Sequence, residues 1–208
     1  MDRFIVASLI LLLAFAAAVE GRMVQAVFDD DKPRDRSGAR ELIGEDQCQK
    51  TCDQVHYRTM CRSLTKLPEV TTPRQLLLAS MRVASDKAKE AKARVDEYAA
   101  RSHEGRPMSS ILDSCRQGYD SVVASLEETR KLIDAPPAHF DLNNQLSSAL
   151  TSAGDCDNAF QDFPEMNSPF AAVQKNVFRL VDNVLNIAVV VQQAEGHHHA
   201  SAHGPHAH

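Results

Sequence analysis

The chain has 208 residues, 43% of them hydrophobic and 25% charged, with only 5% aromatic and no tryptophan. That composition suits one globular domain with a tail, excludes a largely disordered chain, and leaves little material for a large aromatic-lined pocket. The net charge of −5, with no basic block, excludes nucleic acid as a partner.

The N-terminus opens with Arg3, an apolar run from Phe4 to Val19 broken only by Ser8, and Ala16-Ala17-Ala18 as a small-residue cleavage site. This pattern predicts a secretory signal peptide over residues 1–18. The run is short for a membrane span, and no later apolar segment is read as long enough to cross, so no membrane association is expected after cleavage. Residues 19–40, with "DDDKPRDRSG", mix both charges with Pro and Gly and read as a flexible mature N-terminus. Residues 41–68 read as a hairpin of two short helices around a turn near Val55–Tyr57, closed by Pro68.

Four long helical patterns fill residues 72–195. In the first, Leu77, Met81, Ala84, Ala88, Ala91, Val95 and Tyr98 alternate steps of four and three, after a Thr72-Pro73 start. The second carries Leu112, Cys115, Tyr119, Val122 and Leu126 on one face and continues to Ile133, before Pro136-Pro137. The third carries Leu142, Leu146, Ala149, Ala153, Cys156, Phe160 and Phe163, with Gly154 as a weak point. The fourth carries Phe170, Val173, Val177, Leu180, Val184, Ile187 and Val191, with Ser168-Pro169 at its start and Gly196 after its end. Short connections favour antiparallel neighbours, so the expected fold is all-α, an up-down-up-down four-helix bundle behind the N-terminal hairpin. The tail, residues 196–208, holds six of the nine histidines and reads as disordered.

A secreted chain permits disulfides, and the cysteines number five. Cys115 sits early on the inward face of one helix and Cys156 late on that of the next, so antiparallel packing predicts a bridge between them. Its long loop is worth about 4 kcal/mol in the chain-entropy model. In the hairpin, Cys61 has two candidate partners, Cys48 and Cys52.

Four stretches carry a family resemblance: "CDQVHYRTMCRSLTKLP" (52–68), "CRQGYDSVVASL" (115–126), "LSSALTSAGDCDNAF" (146–160) and "NVFRLVDNVLNI" (176–187). In this order and register, spanning residues 42–194, they resemble the plant pectin methylesterase inhibitor and invertase inhibitor family. The resemblance implies disulfides Cys52–Cys61 and Cys115–Cys156 with Cys48 free. The departures are Val122 where Ala is usual and Val55 three residues after Cys52, where Thr is common. Thr51 would satisfy that spacing from Cys48, at the cost of a four-residue insertion.

No catalytic motif is present: neither a GxSxG elbow nor HExxH nor a phosphate-binding glycine loop occurs. Glu127-Glu128 are adjacent on a helix and diverge, and His56, His103 and His139 share no ligand spacing. His197, His198 and His199 are weak metal candidates through neutral imidazole, but no cofactor is implied. Protonating all nine histidines would carry the charge from −5 to +4 as pH falls through the histidine range.

The resemblance implies a secreted, non-enzymatic inhibitor of the plant apoplast or cell wall. Its target would be pectin methylesterase, blocked at the pectin-binding cleft in a one-to-one complex. The alternative is invertase, cell-wall or vacuolar, which family members block with a Pro-Lys-Phe loop. Here that loop is Pro136-Pro137-Ala138-His139-Phe140, so the candidate contact residues are Pro137, His139 and Phe140, without the lysine. A metal-binding structural bundle is the more distant alternative.

Overall fold

The computed structural model describes residues 36–102, 105–133 and 141–202, with side chains described over 44–102, 105–133 and 141–194. The chain divides into two units at Arg36/Ser37, and the first, apart from Arg36, lies outside the described residues, as does the expected signal peptide. Among the described residues all regular structure is helical: α1 Arg36–Asp53, α2 Arg58–Leu64, α3 Pro73–Arg101, α4 Arg106–Ile133, α5 Leu142–Gln161 and α6 Ala171–Ala202.

The helix ends follow local chemistry. Thr72, in extended backbone, accepts the Gln75 amide on its hydroxyl, and Pro73 occupies the first helical position where no amide is needed. Asp141 caps α5 in the same way, accepting the Asn144 amide at 3.1 Å. At α6 the expected Ser168-Pro169 start shifts by two residues. The Ser168 hydroxyl accepts the Phe170 amide at 3.1 Å and donates to Gln174, and the helix begins at Ala171. This turn seats Phe170 edge-on against Tyr98, ring centroids 5.4 Å apart.

Two helices outrun their expected bounds. α1 begins at Arg36, inside the segment read as flexible. α6 passes through Gly196 and His197–His199 to Ala202. A glycine costs a helix only about 1 kcal/mol against alanine, and no proline intervenes before Pro205. α6 also corrects the membrane reading: its stretch Ala171–Ala194 is long and apolar enough by composition to cross a bilayer. Part of that apolar content lies in the core, with Val177, Val181, Val184 and Ile187 fully covered.

α3 to α6 pack in a ring, each against its chain neighbour and α3 also against α6. Pairings between α3 and α4 run in opposite directions: Arg74 reaches the Ile133 carbonyl, Lys89 meets Glu127, Lys92 meets Asp120 and Asp96 meets Arg116. The bundle is therefore antiparallel at this seam, and Cys115–Cys156 together with Gly118 against Ser152 shows the same for α4 and α5. The inward faces form one core, from Leu77, Met81 and Ala84 on α3 to Val184 and Ile187 on α6. Small side chains on α3 let its neighbours come close.

The hairpin α1–α2 is closed by Cys52–Cys61, and Cys48 one turn earlier is a free buried thiol. Gly44 of α1 lies on the Thr71 carbonyl; a Cβ there would fall 2.0 Å from that oxygen. The turn between the helices rests on α6. His56 Nδ1 lies 2.9 Å from Asp182 Oδ2, and the Arg179 guanidinium sits 5.4 Å over the Tyr57 ring. His56 itself is exposed.

Candidate interaction surface

The expected contact residues Pro137, His139 and Phe140 lie in segment 134–140, outside the described residues. His103 also lies outside them, and α6 carries His197, His198 and His199 on a stretch whose side chains are not described. Among the described residues no three His, Cys, Asp or Glu gather into a metal-holding group. Glu127 is paired with Lys89 at 2.6 Å, which holds its carboxyl below the usual range, and Glu128 is exposed.

The bundle presents two unlike faces. The α3–α4 face is laced with charge pairs. Lys89–Glu127 and Lys92–Asp120 each close at 2.6 Å, and Arg116 bridges Asp96 and Asp113 at 2.6 Å each. The Arg82–Glu69 pair continues this pattern, and its hydrogen bond holds the Glu69 carboxyl below the usual range. Exposed pairs of this kind add little stability and leave little net charge for a partner.

The α5–α6 face is different. The chain from 132 to 174, which includes α5, holds neither lysine nor arginine, but its acids do not gather on one face: Asp155 lies against Gly118 of α4, and Asp157 lines the α5–α6 groove together with Lys175. A groove of about 400 Å³ runs between the two helices. Ala153 and Gly154 line it from α5, with Asp157 and Asn158 beyond them, while Gln174, Lys175 and Phe178 line it from α6. Phe178 is 40% exposed, the most open large apolar side chain among the described residues.

The groove is built on a rigid base. Cys115–Cys156 ties α4 to α5 with Cα atoms 4.1 Å apart. Gln174, buried, donates to Cys156 Sγ at 2.9 Å and accepts from Ser168 at 2.8 Å, which fixes α6 against the bridge. Beside it Tyr119 is 1% exposed, and its hydroxyl has no partner. Burial, and then the charge of Asp157, pushes that phenol up to about 12. Asp155, partly covered, has its carboxyl raised by burial.

Sequence reasoning passed over this face. Phe178 falls one position off the Val177 seam, and an aromatic there was the readable signal.

The comparisons with known proteins agree with this architecture. The profile of the plant invertase/pectin methylesterase inhibitor family matches residues 46–187. Among solved structures, a mutant form A of a pectin methylesterase inhibitor from Arabidopsis superposes with a TM-score of 0.57 at 17% identity. The match covers 68% of this chain and 94% of that one, and at this identity it speaks to the fold. Among curated proteins no sequence match is found. With the profile spanning most of the helical domain and the bundle matching in three dimensions, the chain belongs to the plant invertase/pectin methylesterase inhibitor family.

Proposed function

We propose that the mature chain is a secreted inhibitor of pectin methylesterase in the plant cell wall, acting by steric occlusion in a one-to-one complex. The observation that carries this reading is the family match over residues 46–187 on a disulfide-stapled bundle. The similar solved structure is itself a pectin methylesterase inhibitor. A rigid bundle suits the task. Blocking a cleft takes an interface of roughly 800 Å² per partner, and a preformed helix face loses little conformational freedom on docking. The N-terminal apolar run with its Ala16-Ala17-Ala18 site supports export, and the two disulfides suit an oxidising compartment.

A second reading, inhibition of invertase, is favoured by Pro137 and Phe140, which keep two parts of the Pro-Lys-Phe pattern. The missing lysine removes its cation and ranks this reading second.

The test is inhibition of pectin de-esterification and of sucrose hydrolysis by the purified mature chain, with co-elution at about pH 5 and about pH 7. Inhibition of the esterase with a one-to-one peak supports the first reading. Inhibition of sucrose hydrolysis alone replaces it with the second, and inhibition of neither removes both.

A further inference from the structure

The hairpin turn meets α6 through one ring nitrogen that two groups claim. His56 Nδ1 lies 2.9 Å from Asp182 Oδ2 and 3.3 Å from Asn186 Nδ2. A carboxylate only accepts, so the first contact needs a proton on Nδ1. An amide nitrogen only donates, so the second needs Nδ1 bare. The two contacts exclude each other. Asn186 also donates to the Asp182 carbonyl at 2.7 Å, which keeps both α6 side chains at the same spot. The Asp182 side chain is only 13% exposed, so what reaches it from the hairpin matters, while that of His56 is 69% exposed and open to protons from solvent.

We propose that His56 is a pH-sensitive latch for the hairpin turn. Protonated, the ring donates from Nδ1 to Asp182 and holds the turn on α6. Neutral, it carries its proton on Nε2 and accepts from Asn186 at Nδ1; the pair with Asp182 is lost and the turn lifts more readily. The inference concerns the free chain and does not depend on the inhibitor reading.

The surroundings confine the movement to the turn. Cys52–Cys61 holds the ends of the loop together, and Val55 inside it is 3% exposed. Lifting the turn uncovers Val55 and leaves the hairpin closed. The neighbouring charges leave Asp182 as the partner that pH can switch. On α6, Arg179 sits 5.4 Å over the Tyr57 ring; its charge opposes a second cation, but Asp182 is the group in direct contact with His56. On the hairpin, Asp53 and Arg62 pair with each other, and Arg58 begins α2 two residues beyond His56. On α3, which packs on α2, Lys87, Glu90 and Arg94 line the cleft with α6 beside Ala172, Val173, Asn176 and Val177, before Arg179 in the chain, and Lys87 pairs with Glu90 at 2.7 Å. A charge-assisted bond to Asp182 is stronger than the neutral contact with Asn186, so acid closes the latch.

The test reads amide hydrogen exchange of residues 54–58 in the mature chain at about pH 5 and about pH 8, corrected for intrinsic rates. The amides of α4, a helix without histidine, serve as the internal reference. The wild-type turn is expected to be about two- to five-fold better protected at the lower pH, the range an exposed ion pair supplies. His56→Gln and Asp182→Asn are each expected to remove that difference while the α4 amides stay as they are in the wild type. Nitrogen chemical shifts of the His56 ring give a second reading: both nitrogens protonated at about pH 5, and Nδ1 bare at about pH 8. If the wild-type turn is equally protected at both pH values, or if the difference survives both substitutions, His56 is not the latch and the proposal falls. An Nδ1 that keeps its proton at about pH 8 overturns it as well. None of these outcomes bears on inhibition of either enzyme.

Discussion

Gly118 of α4 lies against the backbone of Ser152 on α5: a Cβ at Gly118 would fall 2.8 Å from the Ser152 carbonyl oxygen and 3.1 Å from Asp155 Cβ. The two helices meet here almost backbone to backbone, three residues from the Cys115 end of the bridge. Gly118→Ala is therefore expected to push α5 outward and to lower stability by about 1–3 kcal/mol. Gly154→Ala, whose Cβ meets only ordinary contact, is expected to change stability in the opposite direction by about 0.5–1 kcal/mol. Chemical denaturation of the two variants checks the pair; a neutral Gly118→Ala would mean that the helices are not this close.

Tyr119 makes a statement about alkaline stability. Its folded value of about 12 lies above a tyrosine's ordinary 10.0, so the native state holds the proton more tightly than the unfolded chain does. Its contribution is intact below about pH 10 and is lost as pH rises towards about 12. Tyr119→Phe is expected to flatten this loss. At neutral pH it is expected to cost little or to stabilise, by up to about 1 kcal/mol, because the hydroxyl has no partner to lose. Unfolding curves from neutral to alkaline pH, with phenolate absorbance, read both effects.

Asp155 behaves as a partly covered acid. Its carboxyl is raised by burial, so the fold prefers the neutral form. The associated stability is present below an aspartate's ordinary 3.8 and is lost as pH rises through the raised folded value. Asp155→Asn keeps the Cβ contact with Gly118 and removes the charge. The variant is expected to melt higher than wild type at neutral pH, with the gain vanishing in acid. A gain that persists in acid would point to a cause other than charge.

The cysteines separate by reactivity. Cys48 is fully covered, and burial, then the charge of Glu45, pushes its thiol up. The folded chain is expected to resist alkylation at neutral pH and to take up one label per chain in denaturant. Non-reducing peptide mapping should then return Cys52 joined to Cys61; a Cys48–Cys61 peptide would contradict the structure. Replacing Cys115 and Cys156 by Ala is expected to cost about 4 kcal/mol for the loop of 41 residues, against roughly 2.5–3 kcal/mol for the loop of 9 in the hairpin. Urea unfolding of the two paired-Ala variants tests the order.

The bundle was legible because its seams repeat every three or four residues over many turns, from Leu77 to Val95 and from Phe170 to Val191, and this period has one structural meaning. The resemblance carried the family. Helix ends were less legible. Ser168 looks like a cap by composition, but burying Phe170 against Tyr98 moves the start to Ala171. Gly196 looks like a stop, yet a lone glycine is a weak one. Asp141 was a readable cap that the spacing argument did not use. The seat of the hairpin was not readable, since His56 and Asp182 are 126 residues apart and no local pattern links them. The groove was half readable: Phe178 stands out beside its seam, but that Asp157 faces it across two helices is a fact of packing.

The placement of the longer bridge also governs what a protease can achieve. A single cut between residues 133 and 141 would leave two fragments that still travel as one molecule, because Cys115 and Cys156 lie on opposite sides of the nick. A cut between Gln161 and Ala171 would leave α6 with no covalent tether. The same molecule thus has one connection whose cleavage leaves it covalently joined and another whose cleavage divides it.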